Sequence, residues 1–466
     1  MQIPQQDTIC APATSLGGAI CLIRVSGPDA ITITDRIFTP RTEIPLSERK
    51  ANTVTFGHIA DTTGEIIDEV LVSLFRAPHS YTGEDSTEIS CHGSSYIIRR
   101  ILDLLVEAGC RTANPGEYTQ RAFLNGKMDL CQAEAVADLI SSTSAATHRM
   151  AMNQMRGKFS GELRTLRDRL LHITSLIELE LDFSDHEDLE FADRSELQRL
   201  TAETVEHISR LLESFRMGNA LKSGIPVVII GETNAGKSTL LNHLLGEERA
   251  IVSDIHGTTR DIIEDVVILS GTPFRFIDTA GIRNTTDPIE SIGIARTFDK
   301  INQAEIILWL LDSTVAKEQF SHLSPRLFSL CKEKSLIVLF NKSDLPFSSV
   351  SPEILQELKT LNIPFLFLSA KSGEGISSLT TALLSNVSLS HSPEASVVVN
   401  NARHAEALHT ALTNLKNVQN AITQGTPGDL IAEDLRNCLF HLSDIMGEVT
   451  SNDVLSNIFS HFCIGK

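Results

Sequence analysis

The sequence predicts a multidomain α/β protein with three parts: an α+β N-terminal module, an all-helical domain in two pieces, and an inserted P-loop domain built on a mainly parallel, doubly wound sheet. Three observations predict it. Short apolar runs broken by Gly, Pro and Asn fill residues 1 to about 120. Helical periodicity poor in Gly and Pro runs from Gln132 to Gly218 and returns after Leu384. Between them, from Gly224, apolar runs of buried-strand length alternate with helical stretches, the pattern of a parallel sheet covered on both faces.

Size and composition agree with this division. The 466 residues suit about three domains at roughly 150 residues each. Hydrophobic residues at 42% and charged residues at 21% exclude a disordered or fibrous chain. Lys and Arg number 40 against 59 Asp and Glu, a net charge of −19. A chain this acidic meets nucleic acid only through a local basic patch or a partner. No apolar run reaches the ~18 residues of a membrane span. Met1 to Cys10 shows no basic stretch followed by an apolar core, so a cytoplasmic location without membrane contact is expected. The eight cysteines form no C-x-x-C pair and read as reduced thiols.

The expected boundaries are 1–121, 122–221, 222–386 and 387–466. In the first segment, Ala19 to Val25 and Val70 to Phe75 read as strands, closed by Ser26-Gly27-Pro28 and Ala77-Pro78. Ser95 to Ala108 reads as a helix with Ile98, Ile101, Leu102, Leu105 and Val106 on its apolar face. Met150 to Leu181 reads as one bundle helix, basic at Arg156, Lys158, Arg164, Arg167 and Arg169. The acids from Glu178 to Glu190 lack calcium-loop spacing and read as a solvated helix end. Ile225 to Ile230, Asp265 to Leu269, Phe274 to Ile277, Ile306 to Leu311, Leu336 to Phe340 and Phe365 to Leu368 are the strands of the sheet. Ala402 to Ala421 and Ile431 to Met446 return to helix.

Gly231-Glu-Thr-Asn-Ala-Gly236-Lys237-Ser238 is a G-x4-G-K-S that follows a strand and opens a helix. Its amides can wrap phosphates, Lys237 can add a cation, and the Ser238 hydroxyl can ligate Mg²⁺. Four companions follow in order. Thr258-Thr259 can add a hydroxyl to the metal, and Asp278-Thr279-Ala280-Gly281 can hold the metal shell and sense a γ-phosphate. Asn341-Lys-Ser-Asp344 offers a carboxylate for the N1 and N2 hydrogens of guanine, a donor pair that adenine lacks. Ser369-Ala-Lys-Ser-Gly373 can give the base a backbone amide. Together they read as a guanine-nucleotide-binding domain.

The hydrolytic apparatus departs from the Ras-like pattern. The residue after Gly281 is Ile282, which can neither position water nor neutralise charge. Asn234 can help hold a monovalent cation instead. Glu290 can orient water or simply be an exposed acid at a helix start.

At this point the chain resembles the MnmE (TrmE) family of tRNA-modification GTPases over essentially its whole length. The motifs are Arg24-Val-Ser-Gly27, Tyr81-Thr-Gly-Glu-Asp85 through Glu88 to Gly93, Asn114-Pro-Gly-Glu-Tyr-Thr119, Arg121-Ala-Phe-Leu-Asn-Gly-Lys127, Asp129-Leu130, Gln132-Ala-Glu-Ala-Val136 and Phe462-Cys-Ile-Gly-Lys466. The resemblance implies a Ras-like P-loop GTPase domain, activated by potassium and by G-domain dimerisation, in a constitutive homodimer. It puts K⁺ ligands at Asn234, Ser253, Ile255 and Thr258, and Mg²⁺ ligands at Ser238 and Thr259. Glu290 becomes the water-positioning residue. The implied GTP contacts are Asn234, Ala235, Gly236, Lys237, Ser238, Thr239, Ser253, Thr258, Thr259, Asp278, Thr279, Ala280, Gly281, Asn341, Lys342, Asp344, Ser369, Ala370 and Lys371.

A 5-formyl- or 5,10-methylene-tetrahydrofolate is implied at Arg24, Glu88, Lys127 and Lys466. With an FAD-bearing flavoprotein of the MnmG family, in a heterotetramer, such a chain installs an aminomethyl-type or carboxymethylaminomethyl group on C5 of the wobble uridine-34 of tRNA. Cys463 reads either as a nucleophile toward uridine C6 or as a small buried thiol in the tail that closes the folate site. The alternative class is a GTPase switch in ribosome assembly of the Era or Der type. Departures from the family pattern are the short Thr14-Ser-Leu-Gly-Gly18 loop, Ser94, Thr233, and Glu232, whose charge beside the phosphates requires an outward side chain.

Overall fold

The computed structural model describes the chain apart from residues 1–6, 183–193, 233, 248–264, 278–300, 332–333, 346–349, 389–396, 425, 427, 461 and 466. It divides into two compact units, one of residues 1–140, 153–205 and 407–466, the other of 141–152 and 206–406.

The first unit opens with β1 (Ile9–Pro12), β2 (Ile20–Ser26), α1 (Ala30–Ile37), β3 (Phe38–Pro40), β4 (Thr53–Ala60), β5 (Ile66–Phe75), β6 (Ser86–His92), α2 (Ser95–Glu107) and β7 (Arg111–Thr112). The seven strands lie in the order β3-β4-β5-β6-β2-β1-β7. All neighbours are antiparallel except β1 and β7. Strand alternation sorts the two faces. Cys21, Ile23 and Val25 of β2 and Val70, Val72 and Leu74 of β5 share one core with Ile31, Ile33, Ile98, Ile101 and Leu105 of the two helices. Arg24 and Glu88, directly opposite each other in β2 and β6, fall on the other face. On α2, Leu104 takes the buried place expected of Val106, which is 46% exposed.

Helices follow: α3 (Glu117–Leu124), α4 (Leu130–Ser141), α5 (Ala145–Met155), α6 (Lys158–Asp182) and α7 (Arg194–Ser223). The single helix expected from Met150 to Leu181 is therefore two. Gly157 takes φ +75°, and the Gln132 side chain donates to the terminal Met155 carbonyl at 3.0 Å, which closes α5. Much of the acidic stretch after Asp182 lies outside the described residues.

The second unit holds β8 (Ile225–Ile230), α8 (Lys237–Glu247), β9 (Asp265–Leu269), β10 (Thr272–Phe276), β11 (Ile306–Asp312), α9 (Ala316–Leu330), β12 (Ser335–Asn341), α10 (Pro352–Thr360), β13 (Phe365–Phe367) and α11 (Ile376–Ser388). The sheet order is β13-β12-β11-β8-β10-β9. Every pair is parallel except β9–β10. Leu240, Leu244, Leu379 and Leu383 pack on one face, and Phe320, Leu327, Ile354 and Leu358 on the other, as the continuous apolar strands require.

After α12 (Ala402–Gln424), the helices α13 (Gly428–Met446) and α14 (Asn452–Ser460) complete the first unit. Leu163, Leu166, Leu170, Ile173 and Ile177 form the buried stripe of α6. Ion pairs Glu178–Arg436 and Arg167–Glu448 hold α6 and the α13 end antiparallel. α14 packs under α3: a Cβ on Gly116 would stand 2.6 Å from the Phe459 carbonyl and 2.9 Å from Phe462 Cβ, at φ +67°. Gly116→Ala is therefore expected to lose about 2–4 kcal/mol through strain and overpacking together, measured as a lower urea midpoint for the unit carrying α14.

Candidate functional site

Because β8, β10, β11, β12 and β13 are mutually parallel, the loops that leave their C-terminal ends share one sheet edge, where ligands of α/β sheets bind. The loop Gly231–Gly236 leaves β8 there and opens α8. Glycine is obligatory at both ends. A Cβ on Gly231 would lie 2.4 Å from the Leu310 carbonyl, and one on Gly236, at φ +102°, 2.2 Å from Asn341 Nδ2. Asn234 is also left-handed, φ +65°, a conformation asparagine tolerates. Lys237 Nζ donates to the carbonyls of Gly231 at 2.5 Å and Glu232 at 3.0 Å. Its ammonium thus lies over the loop at the start of α8, where the amides of a first helical turn and the helix dipole favour an anion. Ala235 is buried, Ser238 half-buried and Thr239 exposed. Glu232 is turned aside as required, its carboxylate accepting a hydrogen bond from Gln319 Nε2 at 3.1 Å.

Asn341 joins this loop to another. Only 3% exposed, it donates from Nδ2 to the Ala235 carbonyl at 2.7 Å and accepts at Oδ1 from the Ala370 amide at 2.9 Å. Ser369 is fully buried, and its amide donates to the Glu374 carbonyl at 2.9 Å; Lys371 is exposed. Lys342, at φ +62°, reaches back to Asp312 Oδ2 at 2.6 Å. Burial opposes ionisation of Asp312, but Lys342 and the Thr314 amide and hydroxyl outweigh it and hold the carboxyl below its ordinary range. Asp344 is exposed at the loop tip and bonds to no described residue, leaving both carboxylate oxygens able to accept a donor pair. Ser253, Ile255, Thr258, Thr259, Asp278, Thr279, Ala280, Gly281 and Glu290 lie outside the described residues.

In the N-terminal module, Arg24 Nε and a terminal nitrogen bind Glu88 Oε1 at 2.9 and 2.8 Å. The guanidinium lies 5.2 Å from the Tyr81 ring and 5.6 Å from that of Tyr118, within cation–π range. Tyr118 also donates its hydroxyl to the Arg24 carbonyl at 2.7 Å. Burial raises the pKa of both phenols, so both stay neutral. Lys127 Nζ donates to Pro78 at 2.8 Å, and its stem packs beside Gly83 in the loop that carries Tyr81. The C-terminal tail reaches the same strands: Gly465 lies so close to the Pro12 carbonyl that a Cβ would overlap it. Pro12 in turn pairs with Ile23, next to Arg24. Cys463 accepts at its carbonyl from the Gly116 amide at 3.3 Å. Its side chain is exposed while the other seven cysteines are buried, which corrects the buried-thiol reading. Lys466 lies outside the described residues.

An ion cluster beneath these residues escaped the sequence reading. Arg121, 3% exposed, pairs with Asp7 at 2.6 Å, Glu117 at 3.0 Å and Glu84 at 3.2 Å. Arg111 pairs with the same Asp7 and Glu117 at 2.7 and 2.6 Å. Ser26 adds its hydroxyl to Glu84 at 2.8 Å. Burial opposes ionisation of Asp7 and Glu117, but the two arginines win and lower both pKa values. The motif Asn114-Pro-Gly-Glu-Tyr-Thr119 was visible in sequence, but its physical role, an acid and a phenol aimed inward from one helical turn, was not.

A glycine-rich loop opening a helix at the carboxyl edge of a mainly parallel sheet, in a chain that also carries helices of bundle type and a mostly antiparallel sheet, defines the class: a mixed α/β protein. Two family profiles match. One, described as the MnmE helical domain, covers residues 130–463, and the other, the N-terminus of the GTP-binding protein TrmE, covers residues 8–127. The chain is 59% identical to a protein of Bacteroides thetaiotaomicron over 99% of its own length and 100% of the relative. It is 55% identical to one of Phocaeicola vulgatus over 100% of both, and 48% identical to one of Flavobacterium johnsoniae over 99% of both. Each of the three is named tRNA modification GTPase MnmE. The chain belongs to the MnmE/TrmE family. Among the described residues, no helix is long and apolar enough to cross a membrane.

Arg121→Met should remove one arginine while Arg111 keeps hold of Asp7 and Glu117. The loss expected is roughly 2–4 kcal/mol, somewhat under the cost of stripping a buried charge of every partner. Because the folded carboxyl pKa values are depressed, the cluster's stabilisation is complete above the unfolded value of about 4 and fades as pH falls through the folded ones. The variant should therefore unfold at a higher pH than the parent in an acid titration followed by circular dichroism.

Proposed function

We propose that this chain is a GTP hydrolase that acts in tRNA modification. The observation that carries the reading is the Asn341 amide, which binds the phosphate-type loop and the Ser369–Gly373 loop together and leaves Asp344 exposed beside them. That arrangement suits a guanine base at one end and a polyphosphate at the other. The layout in this reading is an N-terminal folate and dimerisation module (1–121), a helical domain in two halves (122–221 and 387–466), and an inserted Ras-like GTPase domain (222–386).

Lys237 and the amides of Asn234 to Thr239 bind the phosphates, Asp344 and Ala370 read the base, and Lys342 braces the base loop. The Ser238 hydroxyl opens the helix where a magnesium ligand belongs, and Asn234 offers a side-chain oxygen in an exposed turn. Both donor types suit the ions assigned to them, with Thr259 completing the first set and Ser253, Ile255 and Thr258 the second. When bound, these cations supply the positive charge that an arginine finger gives elsewhere. Glu290 orients the attacking water, in place of the glutamine that Ile282 replaces.

Arg24, Glu88 and Lys127 hold a tetrahydrofolate, with Lys466 closing the site. The Arg24–Glu88 pair offers both an acceptor for an amino-pyrimidine edge and a cation, and Tyr81 and Tyr118 offer aromatic surface beside them. The folate brings the one-carbon unit, and an FAD-bearing MnmG-family partner brings the redox chemistry. Together with the chain's cytoplasmic homodimer, they modify C5 of the wobble uridine.

GTP turnover in KCl should exceed that in NaCl by at least tenfold, about 1.4 kcal/mol of barrier. Glu290→Ala should bind GTP within about twofold of the parent and lose roughly 10²-fold or more in turnover. Equal rates in the two salts would remove the potassium mechanism, and undiminished turnover by the variant would remove the role of Glu290.

A further inference from the structure

The glycine-rich loop carries a carboxylate where its purpose is to bind an anion. Glu232 is its second residue, and its own main-chain carbonyl accepts from Lys237 at 3.0 Å. A carboxylate free to turn toward bound phosphates would repel them. The structure keeps it turned away: Gln319 Nε2 donates to Glu232 Oε2 at 3.1 Å. At the other end of the same amide, Gln319 Oε1 accepts from the Asp312 backbone amide at 2.9 Å. Gln319 is 6% exposed, so both ends depend on these partners. It sits in α9, outside every nucleotide motif of the sequence. Its neighbour Phe320 stacks at 5.3 Å on the fully buried Trp309, so packing sets its place.

We propose that Gln319 is a positioning residue of the nucleotide site, holding the Glu232 carboxylate away from the phosphates and tying the phosphate loop to the Asp312–Lys342 pair beside the base loop. This rests on the reading of the chain as a GTP-binding enzyme. A carboxamide is the side chain that fits: one end donates to a carboxylate and the other accepts from an N–H. Glutamate here would set two carboxylates against each other, and methionine would satisfy neither partner. Asp312 receives Lys342 at 2.6 Å and the Thr314 amide and hydroxyl at 3.0 and 2.7 Å. The run Glu232–Gln319–Asp312–Lys342 thus links the two loops by a route separate from Asn341.

The test uses the full-length chain, with binding of a fluorescent GDP analogue and steady-state GTP turnover at constant KCl. Gln319→Met is expected to raise Kd and KM by about three- to tenfold while kcat stays within about twofold, the pattern of lost uniform binding. The penalty should shrink when NaCl is raised from about 50 to about 500 mM, because screening weakens the repulsion. Adding Glu232→Gln to Gln319→Met should restore Kd to within about twofold of the parent, and Gln319→Glu should bind more weakly than Gln319→Met. Glu232→Asp, one methylene too short to reach Gln319 and distant from the core, should show the same salt-sensitive weakening. It serves if the Gln319 variants fail to fold. Parental affinity in either Gln319→Met or Glu232→Asp would overturn the proposal. So would a penalty indifferent to both salt and Glu232→Gln. A parent chain that binds no guanine nucleotide would overturn the underlying reading instead, so the two failures are distinct.

Discussion

Asn341 commits both ends of one buried amide to two loops, and the geometry of the candidate nucleotide site follows from that commitment. Its side chain approaches Gly236 so closely that a Cβ there would overlap Nδ2, which makes the last loop glycine a requirement of the bridge. Each of its two hydrogen bonds contributes about 1 kcal/mol net, but breaking either strands a buried polar group at a cost of about 1–3 kcal/mol. The bridge also fixes a distance. The loop at the start of α8 and the loop after β13 can then meet one ligand at two points, which is what discrimination among nucleotides needs. Lys342 is excused from that bridge and turned to Asp312 instead, where its charge keeps a buried carboxylate ionised.

The N-terminal module rests on a different device. Two arginines and three carboxylates of Asp7, Glu84, Glu117, Arg111 and Arg121 converge from the chain start, the Tyr81 loop and α3. The buried Arg121 and Glu117 are tolerated because each charge has ionic partners of opposite sign. The cluster anchors the helix that presents Tyr118, and Tyr118 flanks Arg24 from one side while Tyr81 flanks it from the other. The side chain proposed to meet the folate therefore rests on two rings, one of them carried by the helix that the ion cluster anchors. The tail joins the same assembly through Gly116 and Gly465, two glycines whose missing side chains let backbones approach.

Much of the second unit was legible from sequence. The run Ile225–Ile230 is a strand with the expected bounds, since a strand buried on both faces is continuously apolar, and the edge strand Asp265–Leu269 also keeps its bounds although its burial alternates. The first unit was harder. β4 and β6 alternate Thr, Ser, His and Glu with apolar residues, so their signal is diluted, and neither was predicted. The Asp7 cluster was invisible because its partners stand 104 and 114 residues apart, a separation no local pattern encodes. The break between α5 and α6 turned on the left-handed Gly157, which helical periodicity passes over. Glu232 posed a question in sequence, and its answer, Gln319, lies 87 residues away.

The central claim is that the Asn341–Asp344 loop selects guanine, and changing the base-reading acceptor tests it most directly. Asp344 accepts two N–H groups, whereas asparagine accepts one and donates one, the complement of xanthine, which has a carbonyl where guanine has an amino group. Competition between GTP and xanthosine triphosphate for Asp344→Asn should show GTP weakened by about 10²-fold or more, with the xanthine nucleotide bound in preference. A variant that still prefers GTP would contradict the account.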